Sequence, residues 1–246
     1  MKIKTFYILL SFLTANTITA QQIFIKQGKI EFEKKINLHK IMEDYSWMEN
    51  FKDKVPQYKT TYCNLYFKDN KTLFEKGKET EGEQRIPFFA DDKSEDDIIY
   101  TDLQYQSLVK KQTIFNDVFL LSDSIRKVEW RITNDTRDIA GFECRKAVGK
   151  ILDSVYVIAF YTDQITVSGG PLSFCNLPGM ILGIAIPRSN LTLFATKVEL
   201  IEPKPEKMIA PTGKMKKIDY KGLQTVLQKA FSDWGTGRRL VISSLL

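Results

Sequence analysis

Histidine is nearly missing from this chain: His39 is the only one in 246 residues. A zinc site with two or more histidines is therefore excluded, and any serine or cysteine nucleophile activated by imidazole would have to be built around that one side chain. His39 falls beside Leu38 in a segment of helical spacing and reads as a partly exposed surface residue. Phosphate-binding loops, dinucleotide fingerprints and nucleophile elbows are lacking too; the glycines of "GTGRR" follow a helix instead of introducing one. The acidic run Asp91 to Asp97 lacks the glycine and terminal glutamate of a calcium-binding loop and reads as solvated. No stripe interleaves basic and aromatic residues, so the formal net charge of +6 does not point to nucleic acid. Carboxylate pairs are everywhere among 30 acidic residues and locate no glycosidase-like site. Nothing calls for a metal or cofactor, and the sequence reads as that of a protein that is not an enzyme.

What is present begins with a leader. In "MKIKTFYILLSFLTANTITA", Lys2 and Lys4 precede an apolar run from Phe6 to Leu13, and Ala20 offers a small residue for cleavage. The run is shorter than the roughly 20 residues that span a bilayer, and no later segment reaches that length. The expectation is an exported protein without a transmembrane segment, periplasmic or associated with an outer membrane, with residues 21–246 as one domain. Cys63, Cys144 and Cys175 make an odd number for an exported chain: either one bridge and one thiol, or no bridge. Cys63 and Cys144 both fall in strand-like segments and are the candidate disulfide.

Hydrophobic residues at 43%, with 16 Phe and 10 Tyr, supply a core. Two-residue alternation predicts strands in "GKIEFEKKI", in a hairpin from Tyr58 with its turn at "KDNK", and in short segments from Ile98 to Leu200. Strands such as "VYVIAFY" and "MILGIAI" read as apolar on both faces. Spacing of three and four places Leu38, Ile41, Met42, Tyr45, Met48 and Phe51 on one face of a helix ending before Pro56. A second helix is predicted over 219–234, with Asp219 as its cap, Leu223, Val226, Leu227, Ala230, Phe231 and Trp234 on its apolar face, and Gly235 at its end. The fold class is mainly β (α+β): a curved antiparallel sheet or incomplete barrel with one or two packed helices.

"SGGPLSFCNLPGMILGI", Ser168 to Ile184, stands apart. Gly169 and Gly170 let the chain bend ahead of Pro171, Pro178 presets the second position of a type II turn, and Gly179 supplies a positive φ at the third. No base or cation stands beside Cys175 to activate its thiol. This stretch resembles the signature "GP..F.GLPGLILEI" of the GLPGLI family of exported Bacteroidota proteins, through Gly170, Pro171, Phe174, Leu177, Pro178 and Gly179. "VEWRITNDTRDIAGFECRKAVGKI" and "VIAFYTDQITVSGGP" resemble that family's "W.I..E.K.I.GY.C.KA" and "AWYT.EIP.S.GP" regions. Cys175 and Asn176 stand in the place of glycines ahead of Leu177, and Phe160 in that of tryptophan. The resemblance implies a cell-envelope protein of unknown activity, often encoded near TonB-dependent outer-membrane receptors. The functional expectation is a binding or accessory protein whose partner is such a receptor or a small apolar ligand. Alternatives are an interaction module of a surface assembly and a hydrolase using carboxylates or a serine–lysine pair.

Overall fold

The computed structural model describes residues 24–79, 96–114, 117–152, 154–231, 241–242 and 244–246; the expected leader, most of the acidic run Asp91 to Asp97, and Trp234 and Gly235 lie outside them. The strands are β1 (Gly28–Asn37), β2 (Tyr58–Lys68), β3 (Lys71–Lys76), β4 (Ile98–Asp102), β5 (Ser107–Ile114), β6 (Asp117–Ser124), β7 (Arg131–Ile139), β8 (Phe142–Ile151), β9 (Val155–Thr162), β10 (Met180–Ile186), β11 (Leu191–Glu199) and β12 (Lys216–Ile218). They form one open sheet in the order β12-β6-β5-β4-β3-β2-β1-β11-β10-β9-β8-β7. The mainly β expectation holds. All pairings are antiparallel save one, β12 lying parallel to β6.

Local chemistry sets the register. At the β2–β3 turn Asp69 and Asn70 have φ of 50° and 58°, the pair of left-handed residues that a two-residue hairpin needs to match strand twist. Ala140 and Gly141, at 50° and 85°, do the same between β7 and β8. Register then aligns side chains across the sheet: Leu121, Lys110, Ile99, Phe74, Leu65 and Ile30 are successive partners from β6 to β1. All six are buried, and each fully buried large apolar chain contributes about 1.5–3 kcal/mol. One member of that row is a lysine.

The sheet is two-sided only in part. β10 is buried on both faces as expected, because β7 folds over its outer side: Gly183 lies against Phe194 and Ile139, and the Arg137 guanidinium sits 4.6 Å from the Phe194 ring centre. A register break between Ile132 and Thr136 provides the bend. β9 instead alternates, with Tyr156 60% exposed, so its outer face is not covered throughout.

The first predicted helix is corrected. Residues 38–54 form a five-residue helix α1 (Leu38–Met42), capped by the Asn37 side chain, followed by a 3-10 stretch from Ser46 to Lys54. Leu38, Met42 and Met48 are buried, whereas Phe51 is exposed. The second helix, α2 (Tyr220–Phe231), forms as expected: Asp219 Oδ1 accepts from Gly222 N at 2.7 Å, and Leu223 and Leu227 are buried. Val226, placed on the apolar face from sequence, is 37% exposed. No helix among the described residues is long and apolar enough to cross a membrane.

Candidate functional site

The segment between β9 and β10 works as a clasp. β10 and β3 are four strands apart in the sheet, about 19 Å if it were flat, yet a side-chain atom on Gly169 would stand 2.7 Å from Thr72 Cγ2 and 3.6 Å from Leu103 Cδ1. The sheet is curled, and the segment crosses its concave side. Gly169 must be bare to approach β3 that closely. Gly170 is extended (φ 176°) and is pressed against Ile181 and the Phe174 carbonyl. Pro171 and Phe174 are buried, as is Leu177. Asn176 has φ 68°, a left-handed conformation that asparagine tolerates. Its Nδ2 donates to Gln106 Oε1 on the β4–β5 turn.

The turn at Pro178 differs from the type II expectation. Gly179 N donates to Leu177 O at 2.7 Å, while Met180 N turns away to Ile165 O at 3.0 Å; the result is a three-residue turn. The Ile165 carbonyl, in the segment that follows β9, takes the amide that a type II turn would have used. Gly179 does have a positive φ, 136°, and a Cβ there would lie 2.0 Å from Thr162 O.

The clasp binds its neighbours by polar contacts and ring packing. Trp130 Nε1 donates to Cys175 O at 2.9 Å, its ring meets Phe174 edge-on at 6.3 Å, and the Tyr220 side chain of α2 hydrogen-bonds Ser173. Burial pushes the Cys175 thiol up to about 12, so at neutral pH it is a protonated, unreactive group. The Cys144 thiol is also pushed up to about 12, first by burial and then by the charges of Asp138 and Glu143. The candidate disulfide is not made: Cys63 and Cys144 carry unbridged thiols on β2 and β8, five strands apart along the sheet. A bridge needs Cα atoms within about 7 Å.

A polar patch on the inner face escaped sequence reasoning. Lys110 Nζ and Asp97 Oδ2 are 3.2 Å apart, both nearly inaccessible. Burial outweighs their attraction on each: it raises the Asp97 carboxyl to about 6 and lowers the Lys110 ammonium. Lys34 of β1 acts on both, and Arg126 acts on Lys110. Gln112, two residues along β5, is 2% exposed; its Nε2 donates to Ser244 O at 2.8 Å, and Arg126 donates to Leu245 O at 2.7 Å. Ile242, Leu245 and Leu246 are buried in the same core. The inner face thus holds a stretch of this chain by its main-chain carbonyls. The signal for the patch was present in "SLVKKQTI", where Lys110 and Gln112 keep phase with Leu108 and Ile114.

His39 makes a structural contact: its Nε2 lies 2.8 Å from Val55 O, tying α1 to the chain that leads into β2. No cluster of three metal-ligating side chains occurs among the described residues. At this end of the sheet Trp47, Phe51 and Tyr58 are 51%, 41% and 47% exposed.

The family model described as "N-glycanase peptide, N-terminal domain" matches residues 45–223, well over half of the chain. The chain belongs to that family. The matched N-terminal-domain region contains the clasp, Asp97, Lys110, Gln112 and Arg126, while Lys34 and the 241–246 stretch lie outside it. Two structures of PNGF-II share the fold: one in space group P21 with TM-score 0.55, and one in space group C2 with 0.52, each 16% identical and covering 83% and 79% of this chain. The chain spans only 34% and 31% of those PNGF-II chains, about a third of their length. No curated protein matches it by sequence.

Proposed function

We propose that this N-terminal-domain-type protein is an exported, non-catalytic binding protein that holds a small molecule with an apolar body against the inner face of its curled sheet. The observation that supports this best is the occupancy of that face: Gln112 and Arg126 each give one hydrogen bond to a main-chain carbonyl, of Ser244 and Leu245 respectively, beside buried Leu245 and Leu246. Such contacts grip an apolar chain with oxygen acceptors and are indifferent to its side chains. The Leu177–Gly179 turn and buried Cys175 serve the architecture in this reading, not a reaction. Export rests on the Met1–Ala20 leader. A place in the envelope beside an outer-membrane TonB-dependent receptor rests on the GLPGLI resemblance, which makes the receptor the partner that delivers or takes the ligand. Native mass spectrometry of the protein purified from its own envelope tests the reading. A discrete bound mass is expected; a clean apo mass under gentle ionisation contradicts it.

A second reading is favoured by the exposed Trp47, Phe51 and Tyr58 together with the N-glycanase family name: an aromatic surface on which sugar rings of a glycoprotein stack. Binding to an immobilised glycoprotein, lost in Trp47→Ala and lost when the glycans are removed, would support it; equal binding to both forms would reject it.

A further inference from the structure

We infer that Asp97 and Gln112 form a proton-operated latch on the stretch that carries Ser244 and Leu245. With a proton on Asp97 Oδ1, donated to Gln112 Oε1, Gln112 Nε2 holds Ser244 O; without it, Gln112 turns its amide over to Asp97 and releases Ser244. The latch acts within the chain and stands whether or not the inner face binds a ligand.

Two buried oxygens lead to it. Asp97 Oδ1 and Gln112 Oε1 have no hydrogen-bond partner, although the other end of each group is engaged: Asp97 Oδ2 lies 3.2 Å from Lys110 Nζ, and Gln112 Nε2 donates to Ser244 O at 2.8 Å. Ile98 pairs with Lys111 in the antiparallel β4–β5 ladder, so Asp97 and Gln112 are the next cross-strand neighbours, with side chains on one face and Cβ atoms about 5 Å apart. An ionised carboxylate and an amide oxygen are both acceptors and have nothing to give each other. One proton changes that. A protonated carboxyl carries an O–H donor, and its single hydrogen bond to Gln112 satisfies both oxygens at once.

The surroundings set when the proton leaves. Burial raises the Asp97 carboxyl to about 6, against Lys110 of β5, the Thr113 amide and Lys34 of β1, which all favour its ionised form. Lys110 in turn feels Lys34 and Arg126, and the neighbouring acid, Asp96, is directed away to Lys76 at 3.6 Å. The proton is therefore held below about pH 6 and lost above it. Once it is lost, the carboxylate repels Gln112 Oε1, and the far end of the same amide offers the donor it lacks. That turn carries Oε1 toward Ser244 O, a second acceptor, so an attractive contact with the stretch becomes a repulsive one. Arg126 keeps Leu245 O at 2.7 Å. The loosening centres on Ser244 and on the hydrogen bond from Leu246 N to Ile242 O that spans it.

The test is hydrogen exchange on the full chain from about pH 5 to about pH 8, a window that brackets the titration, with the intrinsic pH dependence of exchange divided out. NMR of the Asp97 side-chain carbon and of the Gln112 side-chain amide accompanies it. Protection of the Leu246 amide should fall about 5-fold as pH rises, the equivalent of one neutral hydrogen bond. The Asp97 and Gln112 signals should move with the same midpoint as that protection. Asp97→Asn, whose amide can donate to Gln112 Oε1 at every pH, should keep the high protection throughout, and Gln112→Leu should give low protection that ignores pH. The shared midpoint in the wild-type chain decides the matter even if neither variant folds. Protection that does not change with pH, a Gln112 amide that does not follow Asp97, or a pH dependence that survives in Asp97→Asn each overturns the latch. So does an Asp97 that is ionised at about pH 5, with a buried water giving one hydrogen to each oxygen.

Discussion

Asp97 and Lys110 are oppositely charged and 3.2 Å apart, yet burial shifts each toward its neutral form. The consequence for stability has a definite sign. The Asp97 carboxyl titrates near 6 in the folded chain against an ordinary value of 3.8, so the folded state holds that proton more tightly. Its contribution is therefore most favourable below about pH 4 and is lost as pH rises through 6. Wild type should lose stability relative to Asp97→Asn across that window, by on the order of 2–3 kcal/mol, in urea titrations at pH 4, 5 and 6; a constant difference would mean the carboxyl is not desolvated. Gly179 carries a different constraint. With φ at 136° and Thr162 O in the place of a Cβ, Gly179→Ala should cost about 3 kcal/mol or more, read as a lowered urea midpoint. The positive φ was legible from "NLPG"; the collision with Thr162 was not, because nothing local announces which strand lies behind a turn.

Elements were legible where one period dominated. α2 could be read because Asp219, Leu223 and Leu227 mark a cap and a face together, and β2–β3 because alternation brackets "KDNK". The 38–54 segment misled for a physical reason. Met42, Tyr45, Met48 and Phe51 are each three residues apart, which suits one side of an α-helix loosely but matches the three-residue turn of a 3-10 helix closely. The chain follows the latter after Tyr45. Trp130 gives the clasp its own energetic test: Trp130→Phe keeps the ring packing against Phe174 but removes the donor to Cys175 O. A loss of about 1–2 kcal/mol is expected by denaturant unfolding. Asp219→Ala should cost about 1 kcal/mol through the lost cap of α2, and the two losses should add, since the cap and the indole share no partner.

At the scale of the whole molecule, curvature was foreseeable and connectivity was not. A chain of short alternating strands with one-sided helices implies a sheet that bends around a core. That β1 would separate β2 from β11, pairing Lys29 with Glu199, has no local signature, and neither does the return of Ser244 and Leu245 to Gln112 and Arg126. The inner patch lay hidden for the same reason: Lys110 and Gln112 look like errors in a strand until the strands around them are known. The account holds that the clasp is part of the cooperative core, closing the curl from Thr72 to Trp130 and Tyr220. The most direct measurement is the rate at which a maleimide labels Cys175 in the native protein at pH 8, site-resolved by peptide mapping, as urea is raised below the unfolding transition. The account predicts slow labelling that rises with the same urea dependence as global unfolding; rapid labelling independent of urea would show an accessible, reactive thiol and contradict it.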